Sequence, residues 1–76
     1  MPHFKVWHFA PELTEDQRQR LTTAIEALAA EVLGTSPAAV SVDEIAVPEE
    51  NWKTDVFDVE IAPRHDALVR KPGYSV

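Results

Sequence analysis

Apolar residues fall into separate stretches along this chain, and the spacing within each stretch predicts its element. Residues 2–9, Pro-His-Phe-Lys-Val-Trp-His-Phe, are dense in aromatic and β-branched side chains and predict a strand. Alternation places Phe4, Val6 and His8 on one face and His3, Lys5, Trp7 and Phe9 on the other. Neither face is purely polar, so this strand is expected to be covered on both sides. Pro11, which has no ladder N–H to donate, marks its end.

The next stretch has helical spacing. Thr14 with Gln17 fits a capping box, Glu15 and Asp16 suit the positive end of the helix dipole, and Leu13 is a candidate staple. Leu21, Ala24, Ile25, Leu28, Ala29, Val32 and Leu33 then step by threes and fours. Gly34 is the expected C′ residue. A helix over 15–33 follows, with Arg18, Gln19, Thr22, Thr23 and Glu26 on its solvated face.

Ser36-Pro37 leaves room for one short turn before residues 40–47, Val-Ser-Val-Asp-Glu-Ile-Ala-Val, which predict a second strand ended by Pro48. A long helix between two strands predicts a right-handed β-α-β crossover with the strands parallel. From Trp52 to Ile61 two spacings compete. Trp52 and Val56 fit a helix, whereas Phe57, Val59 and Ile61 alternate. A short helix near 51–57 followed by an extended piece is the expectation. Pro63 opens another short helix, with Ala67, Leu68 and Val69 packed inward, and Pro72-Gly73 ends it.

The chain has 76 residues, about half a typical domain, and is read as a single domain over 1–76. Leu, Ile, Val and Phe make up 20 of its 76 residues, above the roughly 20% that marks disorder. A unit this short nevertheless buries only about 60% of its unfolded surface, and the usual remedies are disulfides, a metal or a partner chain. There is no cysteine, and His3, His8 and His65 lack a metal-site spacing, so a partner is expected. One helix covers one face of a two-stranded sheet, and the face carrying Trp7 and Phe9 is expected to be covered by another subunit. The predicted class is α+β, a β-α-β unit whose sheet is completed by a second copy.

Charge narrows the function. Seven basic residues against thirteen acidic ones give a formal net charge of −6, with no basic stripe to follow a phosphate backbone, so nucleic acid is not expected as a partner. No apolar run suits a bilayer and no secretory signal opens the chain, so a cytoplasmic protein with no membrane partner is expected.

Many kinds of chemistry lack their residues. The only glycines are Gly34 and Gly73, which rules out a glycine-rich phosphate loop. The adjacent acids Asp43 and Glu44 point to opposite faces of a strand and do not converge. Pro2 remains. If Met1 is removed, Pro2 becomes a free secondary amine at the start of a covered strand, and an α-amino group has a pKa of roughly 7.7–8.0 that desolvation lowers. An amine near neutrality serves as general base and, once protonated, as acid. With Met1 attached, Pro2 is an amide nitrogen without a basic lone pair.

The Met-Pro start, Leu-Thr-Glu-Asp-Gln opening a helix, Gly34, Ser36-Pro37 and the second strand together resemble the 4-oxalocrotonate tautomerase family. The tail is more specific. Trp52, Glu60-Ile61-Ala62-Pro63 and the run Ala67-Leu68-Val69-Arg70-Lys71-Pro72-Gly73-Tyr74-Ser75 are similar to its small dimeric bacterial subgroup acting on phenylpyruvate-type enols. The resemblance covers nearly the whole chain. It implies a cofactor-independent isomerase of small enol or α-keto acids, Pro2 as general base, and Trp52 in the pocket wall. Family members that process dicarboxylates use two arginines. Here Pro11, Glu12 and Leu13 occupy the place of one and Ser41 that of the other, so the bidentate carboxylate clamp is absent and the resemblance leaves Ser41 as a substrate-binding candidate beside Trp52 and His3. Lys5, Arg64, Arg70 and Lys71 are the cations left to replace it, or are plain surface residues.

Other residues carry two readings each. His3 could donate to a substrate oxygen or simply satisfy a strand edge, and Tyr74 could cover a pocket or anchor the tail. Trp52 could equally be an interface anchor. Two alternatives to the isomerase stay open: a non-catalytic dimeric binding protein of the same fold, and a related dehalogenase or decarboxylase of small acids.

Overall fold

A computed structural model describes all residues, Met1–Val76. Strand β1 spans His3–Phe9, helix α1 Glu15–Leu33, and strand β2 Ser41–Val47. The strands pair in parallel from His3↔Ser41 to Phe9↔Val47, as the intervening helix predicts. The α+β class and the β-α-β unit are as expected.

Helix α1 starts where its sequence says it should. Gln17 N–H donates to Thr14 Oγ1 at 3.1 Å, while Thr14 N–H donates to Gln17 Oε1 at 2.8 Å, a complete capping box. It ends at Gly34, whose φ of 65° is the left-handed conformation that a side chain would oppose. A 3₁₀ turn, Pro37–Ala39, leads into β2.

Helix α1 lies over the sheet face that carries Val42 and Glu44, with Arg18 and Leu21 beside them. Ile25 and Ala29 are its buried residues. The rest of the predicted apolar stripe is uncovered, because Ala24, Leu28, Val32 and Leu33 are all exposed. The periodicity is right, and the chain itself supplies nothing to cover that side.

After β2 the structure departs from expectation. A 3₁₀ turn, Glu49–Asn51, leads into a π-helix, Lys53–Ile61, and then a 3₁₀ segment, Ala62–Ala67. The extended piece expected before Ile61 is helical. Its inward residues are Trp52, Val56, Phe57 and Ile61, with Trp52 and Phe57, and Val56 and Ile61, each five apart. That spacing matches i→i+5 bonding such as Ala62 N–H to the Phe57 carbonyl. Ala67 is exposed and Val69 wholly so, contrary to the inward packing expected of them; Leu68 is half-buried.

This segment also covers part of the second sheet face. Phe9 meets Trp52 edge-on, and Trp7 shares a cleft with Trp52, Val56, Ile61 and Leu68. The chain's own carboxyl-terminal part, rather than a partner alone, therefore shields that face. Cover remains thin. Four residues are buried, Ile25, Ala29, Val47 and Val56, and the accessible surface is 5723 Å², whereas a compact monomer of this size exposes roughly 4,700 Å². The radius of gyration is 14.0 Å, against about 11 Å for a compact chain of this length.

Candidate active site

Because the strands are parallel, both begin at the same end of the sheet, and the predicted site residues Pro2, His3 and Ser41 meet there. Ser41 N–H donates to the Pro2 carbonyl at 3.2 Å, which fixes Pro2 one position ahead of the β1 ladder. Across the first rung, His3 Nδ1 and Ser41 Oγ share a hydrogen bond of 2.6 Å. Pro2 is half-buried, and Met1 projects wholly into solvent.

Trp52 is at the other end. It follows β2, and its indole meets Phe9, the last residue of β1, at 5.1 Å between centroids and 88° between planes. A strand of seven residues spans about 20 Å at roughly 3.3 Å per residue. Within one chain Trp52 therefore cannot touch Pro2. At the Trp52 end lies a cavity of about 490 Å³ lined by Phe9, Trp52, Tyr74, Glu49 and Glu50, within the roughly 300–1,000 Å³ range of small-molecule pockets.

On the sheet face under α1, His8 Nε2 bonds to Glu44 and Arg18 Nε donates to the same carboxylate at 3.0 Å. His8 Nδ1 lies 2.8 Å from the Phe9 carbonyl. Both ring nitrogens thus face acceptors, an arrangement that only the doubly protonated imidazolium fills. The Glu44 hydrogen bond, supported by the Phe9 carbonyl, holds the His8 pKa above its ordinary value. The His8 bond holds Glu44 below the usual carboxylate range, with Arg18 adding to the effect and desolvation opposing it. This cluster joins both strands to the helix. Helical spacing alone puts Arg18 on the solvated face of α1, whereas its guanidinium reaches Glu44. The available signal was a polar residue at an inward position of each strand, His8 and Glu44.

The candidate replacement cations are dispersed. Lys5 Nζ sits over the Trp7 ring at 5.1 Å, and Arg64 lines the same cleft. Arg70 and Lys71 line a separate cleft with Ile61, Leu68 and Pro72. Pro2 borders neither cleft.

No family model matches the chain. Individual relatives do, from end to end. It is 40% identical over 76 residues to "Tautomerase PptA" of Cronobacter sakazakii, covering 100% of both chains. It is 36% identical to the protein of that name from Enterobacter sp. (strain 638) and 34% identical to that of Escherichia coli O127:H6, again with 100% of both chains covered. The chain belongs to the tautomerase superfamily. Membership agrees with the resemblance carried by the Met-Pro start and the Lys71–Ser75 ending. A parallel β-α-β unit with a thinly covered sheet is the tautomerase fold that this resemblance implied. Within it, the sequence left the Phe9–Trp52–Tyr74 cluster unassigned, since its members are far apart in the chain and meet only when the tail folds back.

Proposed function

We propose that this chain is a cofactor-independent keto–enol tautomerase of aryl α-keto acids, with Pro2 as general base once Met1 has been removed. The observation that carries the proposal is Pro2 itself. It follows an exposed Met1, is half-buried, and is tied to the sheet by its carbonyl. Full-length relatives named tautomerases support the isomerase class.

In this mechanism the neutral Pro2 amine accepts the proton of the enol hydroxyl. The oxygen lone pair forms the C=O bond as the enol C=C electrons shift to carbon. Prolinium then returns the proton to that carbon, giving the ketone and the free amine, so nothing is consumed. His3, held by Ser41 beside Pro2, supplies a ring nitrogen for the substrate oxygen. Ser41 stands where dicarboxylate-processing relatives carry an arginine, which favours a monocarboxylate substrate.

The pocket is completed by a second copy. A two-fold axis through the free edge of β1 runs the strands of two copies antiparallel. Pro2 of one chain then lies beside the Phe9 and Trp52 end of the other. The surplus of about 1,000 Å² over a compact monomer is of the order of one side of a standard interface, about 800 Å². The exposed Leu28, Val32 and Leu33 belong to that surplus.

The test follows enol absorbance of phenylenolpyruvate with protein lacking Met1. Pro2→Ala should lower kcat/KM by roughly 10²–10⁴-fold, the usual weight of a general base. Protein with an extra residue ahead of Pro2 should be equally poor. Undiminished turnover by either would remove Pro2 from the mechanism.

A further inference from the structure

Tyr74 lies far along the chain from Trp52, yet its phenol oxygen accepts a hydrogen bond of 3.1 Å from Trp52 Nε1. An indole N–H can only donate, so this bond fixes the direction of the indole as well as its place. Phe9 holds the same indole edge-on, and Phe57 lies 6.3 Å from the Tyr74 ring. The wall of the 490 Å³ cavity is therefore a clamped aromatic surface, with Trp52 fixed between a ring edge and a hydroxyl.

The polar side of the cavity carries Glu49 and Glu50. Its lysine, Lys53, is drawn to Asp58 at 3.0 Å. A carboxylate inside would meet like charge, whereas an uncharged ring would meet aromatic faces. A ligand with a ring at one end and a carboxylate at the other therefore enters ring first.

We propose that Tyr74 is a specificity-determining residue which, by holding Trp52 in place, makes the site select enol acids bearing an aromatic ring over short aliphatic ones. This rests on the two-chain, Pro2-dependent reading above. Tyr74 acts through Trp52 and touches no reacting atom.

The experiment compares Tyr74→Phe with the unaltered protein on phenylenolpyruvate and on an enolpyruvate carrying a methyl group in place of the ring. The expected result is a fall of about three- to tenfold in kcat/KM for the aryl substrate, the weight of one neutral hydrogen bond, expressed in KM. The aliphatic substrate should change by less than about twofold. An equal loss on both substrates, or no loss on either, overturns the proposal.

A second arm needs no turnover. 3-Phenylpropanoate is titrated into Pro2→Ala protein while the indole N–H resonance of Trp52 is followed. The resonance should shift, and adding Tyr74→Phe should weaken the binding by a similar factor. If Pro2→Ala turns out fully active, the general-base reading falls while this titration still decides the role of Tyr74. If Pro2→Ala is inactive and Tyr74→Phe leaves both selectivity and binding unchanged, the Tyr74 inference falls alone.

Discussion

Nδ1 of His3 and Oγ of Ser41 are 2.6 Å apart across the first rung of the sheet, so the imidazole beside Pro2 is oriented by the opposite strand. The same rung ties the Pro2 carbonyl to the Ser41 N–H. One residue of β2 thus fixes both the backbone of Pro2 and the side chain that follows it. A backbone bond survives any substitution at residue 41 other than proline, so the two effects can be separated.

Ser41→Ala should reduce kcat/KM on phenylenolpyruvate by about three- to tenfold, the weight of one neutral hydrogen bond. It should leave stability within about 0.5 kcal/mol, as expected for an exposed position. His3→Ala should cost at least as much, and the double variant no more than His3→Ala alone, because Ser41 acts only through the imidazole. Losses that simply multiply in the double variant would show that His3 and Ser41 act independently.

The parts of this fold that could be read from sequence are those governed by local rules. The Thr14–Gln17 capping box, the apolar spacing of α1 and the stop at Gly34 each express backbone chemistry within a few residues. The parallel pairing followed from one more rule, the crossover. The helix expected near 51–57 is present, but residues 58–61 continue it instead of extending, because i→i+5 bonding carries the helix on to Ile61 while Phe57, Val59 and Ile61 alternate as in a strand. For the candidate site, chain position alone singles out Pro2, and the strand register makes His3 and Ser41 neighbours. Tyr74 was not legible as a partner of Trp52. That contact depends on how the tail returns over the π-helix, which no local pattern encodes.

The His8–Glu44 pair predicts a pH dependence of stability whose sign follows from the two shifts. His8 is raised above its ordinary 6.5, first by the Glu44 hydrogen bond. Its contribution is complete below that value and is lost as pH rises through the folded pKa. Glu44 is lowered from its ordinary 4.5, first by the His8 hydrogen bond. Its contribution is present above that value and is lost as pH falls through the folded pKa. The pair therefore stabilises most between the two ordinary values. Thermal melts from about pH 6 to about pH 8.5 should show Tm falling with pH. His8→Gln should flatten that fall. A variant that keeps the full slope would assign the pH dependence to other groups.

Assembly gives the last prediction, since the pocket proposed above draws on two chains. Leu28 is 52% exposed and Val32 67% exposed on the uncovered side of α1, and burying what remains exposed of the two is worth roughly 2–3.5 kcal/mol together. That is a large share of the roughly 5–15 kcal/mol that holds a small domain together, so folding should be coupled to association and Tm should rise with protein concentration. Leu28→Glu should shift sedimentation toward the monomer and abolish Pro2-dependent turnover, although Leu28 is distant from Pro2 in sequence and on another element. Subunit mixing tests the shared pocket directly. Pro2→Ala and Trp52→Ala homodimers should each be poor enzymes, the first without a base and the second without its wall. Refolded together, half of the dimers are mixed, and each of these has one pocket built from the intact Pro2 of one chain and the intact Trp52 of the other. The mixture should recover about a quarter of the unaltered rate, as two-fold symmetry requires. A mixture no more active than the average of its two components would mean that Pro2 and Trp52 never meet across the interface.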